Sequence, residues 1–403
     1  MSDKCQYFDE LISIKNLLGI ESDKLVQFQD EKILIIEKLE KLISKVNEID
    51  EIITKNSPTK HSLGQFYTSN HAYILQGMSI PNNITHIIEP FAGNGDLINF
   101  IEKEQERNNI KYSIDCYDID PKKDYILKMD TIKNPPDYTN KYLITNPPYL
   151  ARNKSKNKSL FDKYNVNDLY KCVIKNIITN ICLGGILIIP LNFWSSIRLV
   201  DIKLRKMFLI KYDIIILNIF EEQVFDDTSY TICSFQFELK KNNVINLNIM
   251  IYPSKKHMNI ILTHNNNFMI GGEIYKLELT NKYKITRLTS KNKLQANTNI
   301  LVKCIDDNIN SQIGLSFVED KDIYIDITPN RTARTYATLI IEPMLEKDRQ
   351  YRLITEFNKY LKNHRIKYNS LFLTNYRESN DIARKRISFD LVYSIVAYIL
   401  ETF

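Results

Sequence analysis

Between residues 85 and 218 the chain repeats one pattern. Short β-branched apolar runs at 85–89, 113–118, 142–145, 185–190 and 213–218 are separated by longer stretches of helical spacing. Runs that are apolar throughout, alternating with helices, predict a parallel sheet covered by helices. Two further runs, 231–239 and 244–252, flank the polar cluster 240–243 and predict a hairpin that closes the sheet. Upstream, Leu25, Phe28, Ile35, Leu39, Leu42, Val46, Ile49 and Ile53 recur at steps of three and four, interrupted at Lys32, and form one stripe on a long helix that Asn56, Ser57 and Pro58 end. Such a stripe suits packing on its own protein or pairing with a partner helix. Beyond residue 253 short strands mix with a predicted helix near 346–363 and an apolar C-terminal helix over 389–400. The expected parts are therefore an N-terminal helical segment, 1–57, an α/β unit, 58–255, and a C-terminal α+β domain, 256–403.

Composition changes this picture little. With 403 residues, 44% hydrophobic and 25% charged, the chain has the makings of packed cores rather than of a disordered polymer. A net charge of +6 suits a polyanionic partner without requiring one. Cys5, Cys116, Cys172, Cys182, Cys233 and Cys304 form no Cys-x-x-Cys pair, so neither a metal site nor a disulfide framework is expected, and a reducing intracellular compartment is. Acidic and polar residues follow Met1, and no apolar run approaches the roughly 20 residues that span a bilayer, so neither a leader nor a membrane anchor is expected.

The first strand runs into Glu89-Pro90-Phe91-Ala92-Gly93-Asn94-Gly95-Asp96, where glycines allow a tight turn and close approach of a ligand before a helix opens. The pattern is not Gly-x-Gly-x-x-Gly, which disfavours a dinucleotide pyrophosphate. The next strand ends in Asp118-Ile119, and a carboxylate there can accept both hydroxyls of a ribose while Ile119 offers an apolar face to a ring. Asp130, at a third strand end, is placed to accept from an adenine amine. Each acid alone more often serves as a cap or loop residue; their regular placement after successive strands carries the information.

The fourth strand ends in Asn146-Pro147-Pro148-Tyr149, on the carboxyl edge where open α/β sheets bind ligands. Two prolines remove two backbone donors and stiffen the turn, leaving the Pro147 carbonyl and the Asn146 side-chain oxygen to converge on an amine. An aromatic amine is a poor nucleophile because its lone pair is delocalised. Two acceptors on its hydrogens favour the pyramidal form that can attack a methyl sulfonium, and Tyr149 is placed to stack on a base swung out of a duplex.

Taken together, these segments resemble the gamma-class DNA amino-methyltransferases over most of residues 58–240. The stretch 63–68, with Phe66, Tyr67 and Thr68, is similar to that family's opening cofactor segment. Residues 89–95, including Glu89, Pro90, Ala92, Gly93 and Gly95, are similar to its glycine loop, and 184–190 to the strand that follows its catalytic tetrad. The resemblance implies a Rossmann-like methyltransferase sheet with helices on both faces, and S-adenosylmethionine as the cofactor. It assigns Asp118, Ile119 and Asp130 to ribose and adenine contacts, Asn146 to Tyr149 to the tetrad, and Phe225 to packing on a flipped adenine. It also implies transfer to adenine N6 in double-stranded DNA, a C-terminal target-recognition domain, and a cognate restriction endonuclease as a possible partner in the same system. Asp118 stands where the family often has Glu.

For DNA itself, the basic stretch after the tetrad, with Arg152, Lys154, Lys156 and Lys158, offers phosphate contacts beside the pocket mouth. Arg331, Arg334, Arg377, Arg384, Lys385 and Arg386 are further candidates by resemblance alone. Methyltransferases acting on protein glutamine or on RNA share Asn-Pro-Pro-Tyr and are the alternative, disfavoured by the long C-terminal extension. Cytosine N4 methylation goes more often with Ser before Pro-Pro-Tyr, and cytosine C5 methylation lacks its Pro-Cys segment here. No nuclease constellation precedes the tetrad, so a fused cleavage activity is not expected.

Overall fold

Apolar runs of the kind found at 86–89, 142–145 and 184–190 bury both faces of a strand, and in the computed structural model of the chain these residues form the centre of a nine-stranded sheet. The structure describes Thr68 and residues 70–225, 230–306, 313–327, 335–376 and 384–402. The helical stripe expected over 1–57 lies outside the described residues.

In chain order the sheet comprises β1 (His86–Glu89), β2 (Ser113–Asp118), β3 (Leu127–Lys128), β4 (Tyr142–Thr145), β5 (Gly184–Pro190), β6 (Tyr212–Phe220), β7 (Ile232–Leu239), β8 (Ile245–Tyr252) and β9 (Lys256–Leu262). Their spatial order is β3-β2-β1-β4-β5-β7-β6-β8-β9. The first five of these run parallel, as the alternating pattern predicts. Helices flank the sheet to give a Rossmann-like α/β unit: α1 (His71–Ile74), α2 (Asp96–Asn108), α3 (Ser159–Tyr164), α4 (Leu169–Thr179), α5 (Asn192–Ser195) and α6 (Leu199–Lys211). α2 starts at Gly95 in the left-handed region, carries Asp96 in its first turn, and buries Leu97, Ile98, Phe100 and Ile101 along one face.

The expected hairpin does not form. β7 lies antiparallel between β5 and β6, pairing Gly184 with Glu238 through Pro190 with Ile232 on one side and β6 on the other. Both of its edges are taken, so β8 pairs parallel with the far side of β6. Gly184 and Gly185 permit the close approach: a Cβ on Gly184 would overlap the Phe237 carbonyl, and one on Gly185 the Leu143 carbonyl. The sheet also continues past the expected boundary at residue 255, because a tight turn brings β9 back onto β8 with Ile251 facing Lys256.

The remaining described residues build an antiparallel sheet of β10 (Lys284–Arg287), β11 (Ile300–Lys303), β12 (Gly314–Phe317) and β13 (Tyr336–Glu342), ordered β10-β13-β11-β12. A two-stranded pair, β14 (Thr374–Tyr376) and β15 (Arg384–Arg386), lies beside it in sequence. α7 (Lys347–Tyr368) buries Leu353, Phe357 and Leu361, and α8 (Phe389–Thr402) buries Leu391, Val392, Ile395, Val396, Ile399 and Leu400. Both helices fall where their apolar periodicity predicts, α7 running a turn further. The segment after β9 is locked to α6 by Arg205, which is fully buried and donates to the carbonyls of Phe193 (2.6 Å), Ser196 (3.2 Å), Asn267 (3.0 Å) and Phe268 (2.5 Å). Burial lowers its pKa only to about 10, so it stays charged at neutral pH and removing it would strip four carbonyls of their donor. Among the described residues no helix is long and apolar enough to cross a membrane.

Candidate active site

Parallel strands leave their carboxyl ends on one edge of the sheet, and that edge gathers most of the predicted side chains. At the end of β1, Glu89 is fully buried. Its Oε1 accepts the Phe91 N–H at 2.9 Å and the Thr145 hydroxyl, while Oε2 has no hydrogen-bond partner. Burial pushes its pKa up to about 8, with the donors from Thr145 and Phe91 pulling the other way. The glycine loop that follows is held at several points. Ala92 N–H donates to the Tyr117 carbonyl (2.8 Å), Gly95 N–H to the Ala92 carbonyl (2.7 Å), and the Thr131 hydroxyl to the Pro90 carbonyl (2.8 Å). Gly93 and Gly95 both have positive φ, 53° and 84°, and a Cβ on Gly95 would overlap the Tyr125 hydroxyl.

Asp118, at the end of β2, is only 3% exposed and ties this loop to its own strand. Oδ2 accepts the Gly93 N–H and Oδ1 the Asp120 N–H, both at 2.8 Å. Beside it Ile119 is 43% exposed, an apolar surface at the lip of the edge. Asp130 is half-buried and accepts the Lys133 N–H at 3.1 Å, the arrangement of a turn cap.

The tetrad leaves β4 at the same edge. Asn146 is buried, its Nδ2 donating to the Thr68 hydroxyl at 3.0 Å and its Oδ1 facing the Tyr149 hydroxyl. Thus Thr68 and Asn146, far apart in sequence, meet at this edge. Phe66 and Tyr67 lie outside the described residues. Pro147 is buried and Pro148 half-buried.

Tyr149 differs from expectation. The ring is 2% exposed and offers no open face for a base in this conformation. Its hydroxyl lies 2.7 Å from the Ile188 carbonyl as well as against Asn146, and Tyr170 and Tyr230 meet the ring edge-on at centroid distances of 6.2 and 6.0 Å. A phenol that finds a buried carbonyl and an aromatic cage is drawn inward, which explains the orientation. Phe225 is likewise buried, packed as a core residue rather than displayed at the edge.

The cage rests on residues that carry no local sequence signal. Asp168, at the start of α4, accepts the N–H of Leu150 at 3.1 Å and the Tyr230 hydroxyl at 3.3 Å. Burial raises its pKa to about 6 against the opposing pull of Lys171. Lys171 is itself buried and paired with Asp201 at 2.5 Å. Of the basic stretch after the tetrad, Arg152 is held by Asp162 at 2.8 Å, whereas Lys154, Lys156 and Lys158 are exposed. Arg331, Arg334 and Arg377 lie outside the described residues. Among the described residues no group of three or more His, Cys, Asp or Glu could hold a metal ion.

No protein-family model and no curated protein matches the chain. Among solved structures it is similar to a modification subunit of a putative type I restriction enzyme from Vibrio vulnificus YJ016, at 12% identity over 59% of this chain and 55% of that one, with a TM-score of 0.36. It is also similar to a putative class I S-adenosylmethionine-dependent methyltransferase from Listeria monocytogenes, at 13% identity over 45% of this chain and 61% of that one, with a TM-score of 0.34. A third similarity is to a type I restriction-modification methyltransferase subunit from Streptococcus thermophilus, at 12% identity, covering 50% and 51% and with a TM-score of 0.34. The chain therefore spans between half and three fifths of the length of these proteins.

Proposed function

We propose that this chain transfers a methyl group from S-adenosylmethionine to the exocyclic amine of an adenine swung out of double-stranded DNA. The observation that carries the reading is the convergence on one sheet edge of the Asp118-held glycine loop and the Asn146 amide, with Thr68 behind it.

The residues fit the cofactor. Asp118 Oδ2 accepts the Gly93 N–H and Oδ1 the Asp120 N–H, which holds a carboxylate at the strand end where ribose hydroxyls would be accepted. Ile119 is exposed where a purine ring would cover it. The Glu89 Oε2 is a buried acceptor with no donor, a position suited to an ammonium group. Phe66 and Tyr67 are assigned to the same pocket by the family resemblance. When bound, S-adenosylmethionine supplies an electrophilic methyl on a sulfonium.

The chain's own work is on the amine. The Asn146 Oδ1 and the Pro147 carbonyl accept its two hydrogens, favouring the pyramidal nitrogen whose lone pair is available for attack. Thr68 holds the Asn146 Nδ2, and the oxygen that now accepts the Tyr149 hydroxyl has a second lone-pair direction for the amine. Once methylated, the nitrogen is strongly acidic and loses its proton to solvent, so no strong base is needed. For Tyr149 to cover the base, its ring would have to leave the Ile188 carbonyl; otherwise its part is to hold Asn146. Lys154, Lys156 and Lys158 would take backbone phosphates.

Incubation of the protein with methyl-labelled S-adenosylmethionine and genomic DNA, followed by nucleoside mass spectrometry, tests the reading. Label in N6-methyladenine is the expected result. Label in N4-methylcytosine would change the target base. Label in RNA or protein but not DNA would overturn the substrate.

A further inference from the structure

Thr145 is the last residue of β4 and leads directly into the Asn-Pro-Pro-Tyr turn, and its hydroxyl donates to Oε1 of Glu89. Both side chains are fully buried. β1 and β4 are parallel neighbours, with Ile87 beside Tyr142 and Ile88 beside Leu143, so Glu89 and Thr145 reach the carboxyl edge side by side. After Tyr142-Leu143-Ile144, valine would complete the buried strand without a polar group to satisfy. Threonine in its place adds a donor to one carboxylate.

What that donor does follows from the shape of the carboxyl group. Oε1 takes the Thr145 hydroxyl from the strand of the tetrad and the Phe91 N–H, at 2.9 Å, from the glycine loop. With one oxygen held from two sides the planar group has a fixed orientation, and Oε2 is left as a buried acceptor with no donor. The two donors also favour the ionised form, the Thr145 hydroxyl more than the Phe91 N–H, while burial works against it and raises the pKa to about 8. Asp118 on β2 adds to that opposition. The nearby Cys116 thiol, pushed up to about 12 by burial, and the Tyr138 phenol, raised by burial too, stay neutral. Near neutral pH Glu89 therefore stands close to its own titration, where one donor more or less changes its charge.

Resting on the reading of this edge as an S-adenosylmethionine pocket, we propose that Thr145 is a positioning residue for the cofactor: its hydroxyl fixes Oε1 of Glu89 so that Oε2 is presented to the ammonium of the methionine moiety. Ionisation of Glu89 strengthens both hydrogen bonds to Oε1, one from the glycine loop and one from the residue joined to Asn146. Occupancy of the pocket thereby firms the end of β4 that carries the acceptor amide.

Thr145→Val and Thr145→Ala remove the hydroxyl, the first at nearly the same volume, and Thr145→Ser keeps it. Infrared difference spectra over a pH series, read at the carboxylic C=O band that Glu89→Gln abolishes, give the titration midpoint of Glu89 in the cofactor-free protein. The midpoint should rise by about one pH unit in the Val and Ala variants and return to the wild-type value with Ser. Calorimetry should show S-adenosylmethionine binding about ten-fold more weakly to Thr145→Val near pH 7, with the gap closing as pH passes the variant's midpoint. A purely structural hydroxyl would lower the melting temperature of the Val and Ala variants and move neither the midpoint nor the pH profile, and that result would overturn the proposal. So would a shifted midpoint with equal cofactor affinity near pH 7, because the ammonium would then lie away from Glu89. A wild type that binds no S-adenosylmethionine removes the cofactor reading and the proposal with it. Methyl transfer is measured separately. Thr145-dependent cofactor binding by a protein that methylates no DNA keeps the role of Thr145 and removes the DNA reading. DNA methylation by a protein whose Thr145→Val variant binds the cofactor normally does the reverse.

Discussion

Asp168 accepts the N–H of Leu150 at 3.1 Å, so a buried carboxylate at the start of α4 grips the residue that follows the Asn-Pro-Pro-Tyr turn. Its other oxygen takes the hydroxyl of Tyr230, whose ring packs on Tyr149. One side chain thus sets the exit of the tetrad and the wall of its aromatic cage.

Asp168→Ala should remove the acceptor shared by the half-buried Leu150 N–H and the Tyr230 hydroxyl, at a cost of about 1–3 kcal/mol in thermal or denaturant unfolding. Asp168→Asn keeps a carbonyl oxygen and should lose much less. Because burial raises the Asp168 pKa to about 6, its contribution to stability is full below the ordinary carboxylate range and is lost as pH rises through about 6. The difference in melting temperature between Asp168→Asn and wild type should therefore shift toward the variant between about pH 4 and pH 6. A flat difference would mean that Asp168 titrates normally.

Glu89 gives a second pH signature. With its pKa pushed up to about 8 by burial, the free protein holds it protonated at neutral pH, and a cation beside Oε2 favours the ionised form. Cofactor binding should then release up to one proton near pH 7 and tighten as pH rises toward about 8. Calorimetry in buffers of different ionisation enthalpy reads the proton directly. Glu89→Gln should bind more weakly and lose the pH dependence; the same proton release from that variant would place the ammonium elsewhere.

Asp118→Ala should weaken S-adenosylmethionine by roughly 1.5–3 kcal/mol, the scale of hydrogen bonds to a charged group. It should also lower the melting temperature, because Gly93 and Asp120 lose their acceptor. Asp118→Asn separates the effects: it retains an acceptor oxygen and so more of the stability than of the affinity. Equal affinity in all three proteins would remove Asp118 from the pocket.

Asn146→Ala should abolish most turnover while leaving cofactor affinity near wild type, the pattern of an interaction made in the transition state. Thr68→Val, which removes the hydroxyl that orients the amide, should lower turnover by a smaller factor with little change in KM. Single-turnover methyl transfer measures both; full activity in Asn146→Ala would end the amine-acceptor mechanism.

What the sequence by itself determined is local. Apolar β-branched runs marked five strands of the α/β core, since such runs are stable only when both faces are buried. Periodicity located α7 and α8, and glycines that must take positive φ marked the loop at Gly93 and Gly95. Chain order then put Glu89, Asp118 and Asn146 on one edge, because successive parallel strands end on the same side.

Tertiary structure alone decided which strands are neighbours and which side chains meet. Nothing in the run 232–239 says that it inserts between β5 and β6 instead of pairing with 245–252, because pairing depends on which edges remain open once the chain has folded back. Tyr149 has the composition of a stacking residue, yet the Ile188 carbonyl and two distant tyrosines turn its ring inward. Asp168 and Tyr230 have no periodicity or motif to mark them. Their chemistry arises from burial and from proximity across tens to hundreds of residues, and both exist only after folding.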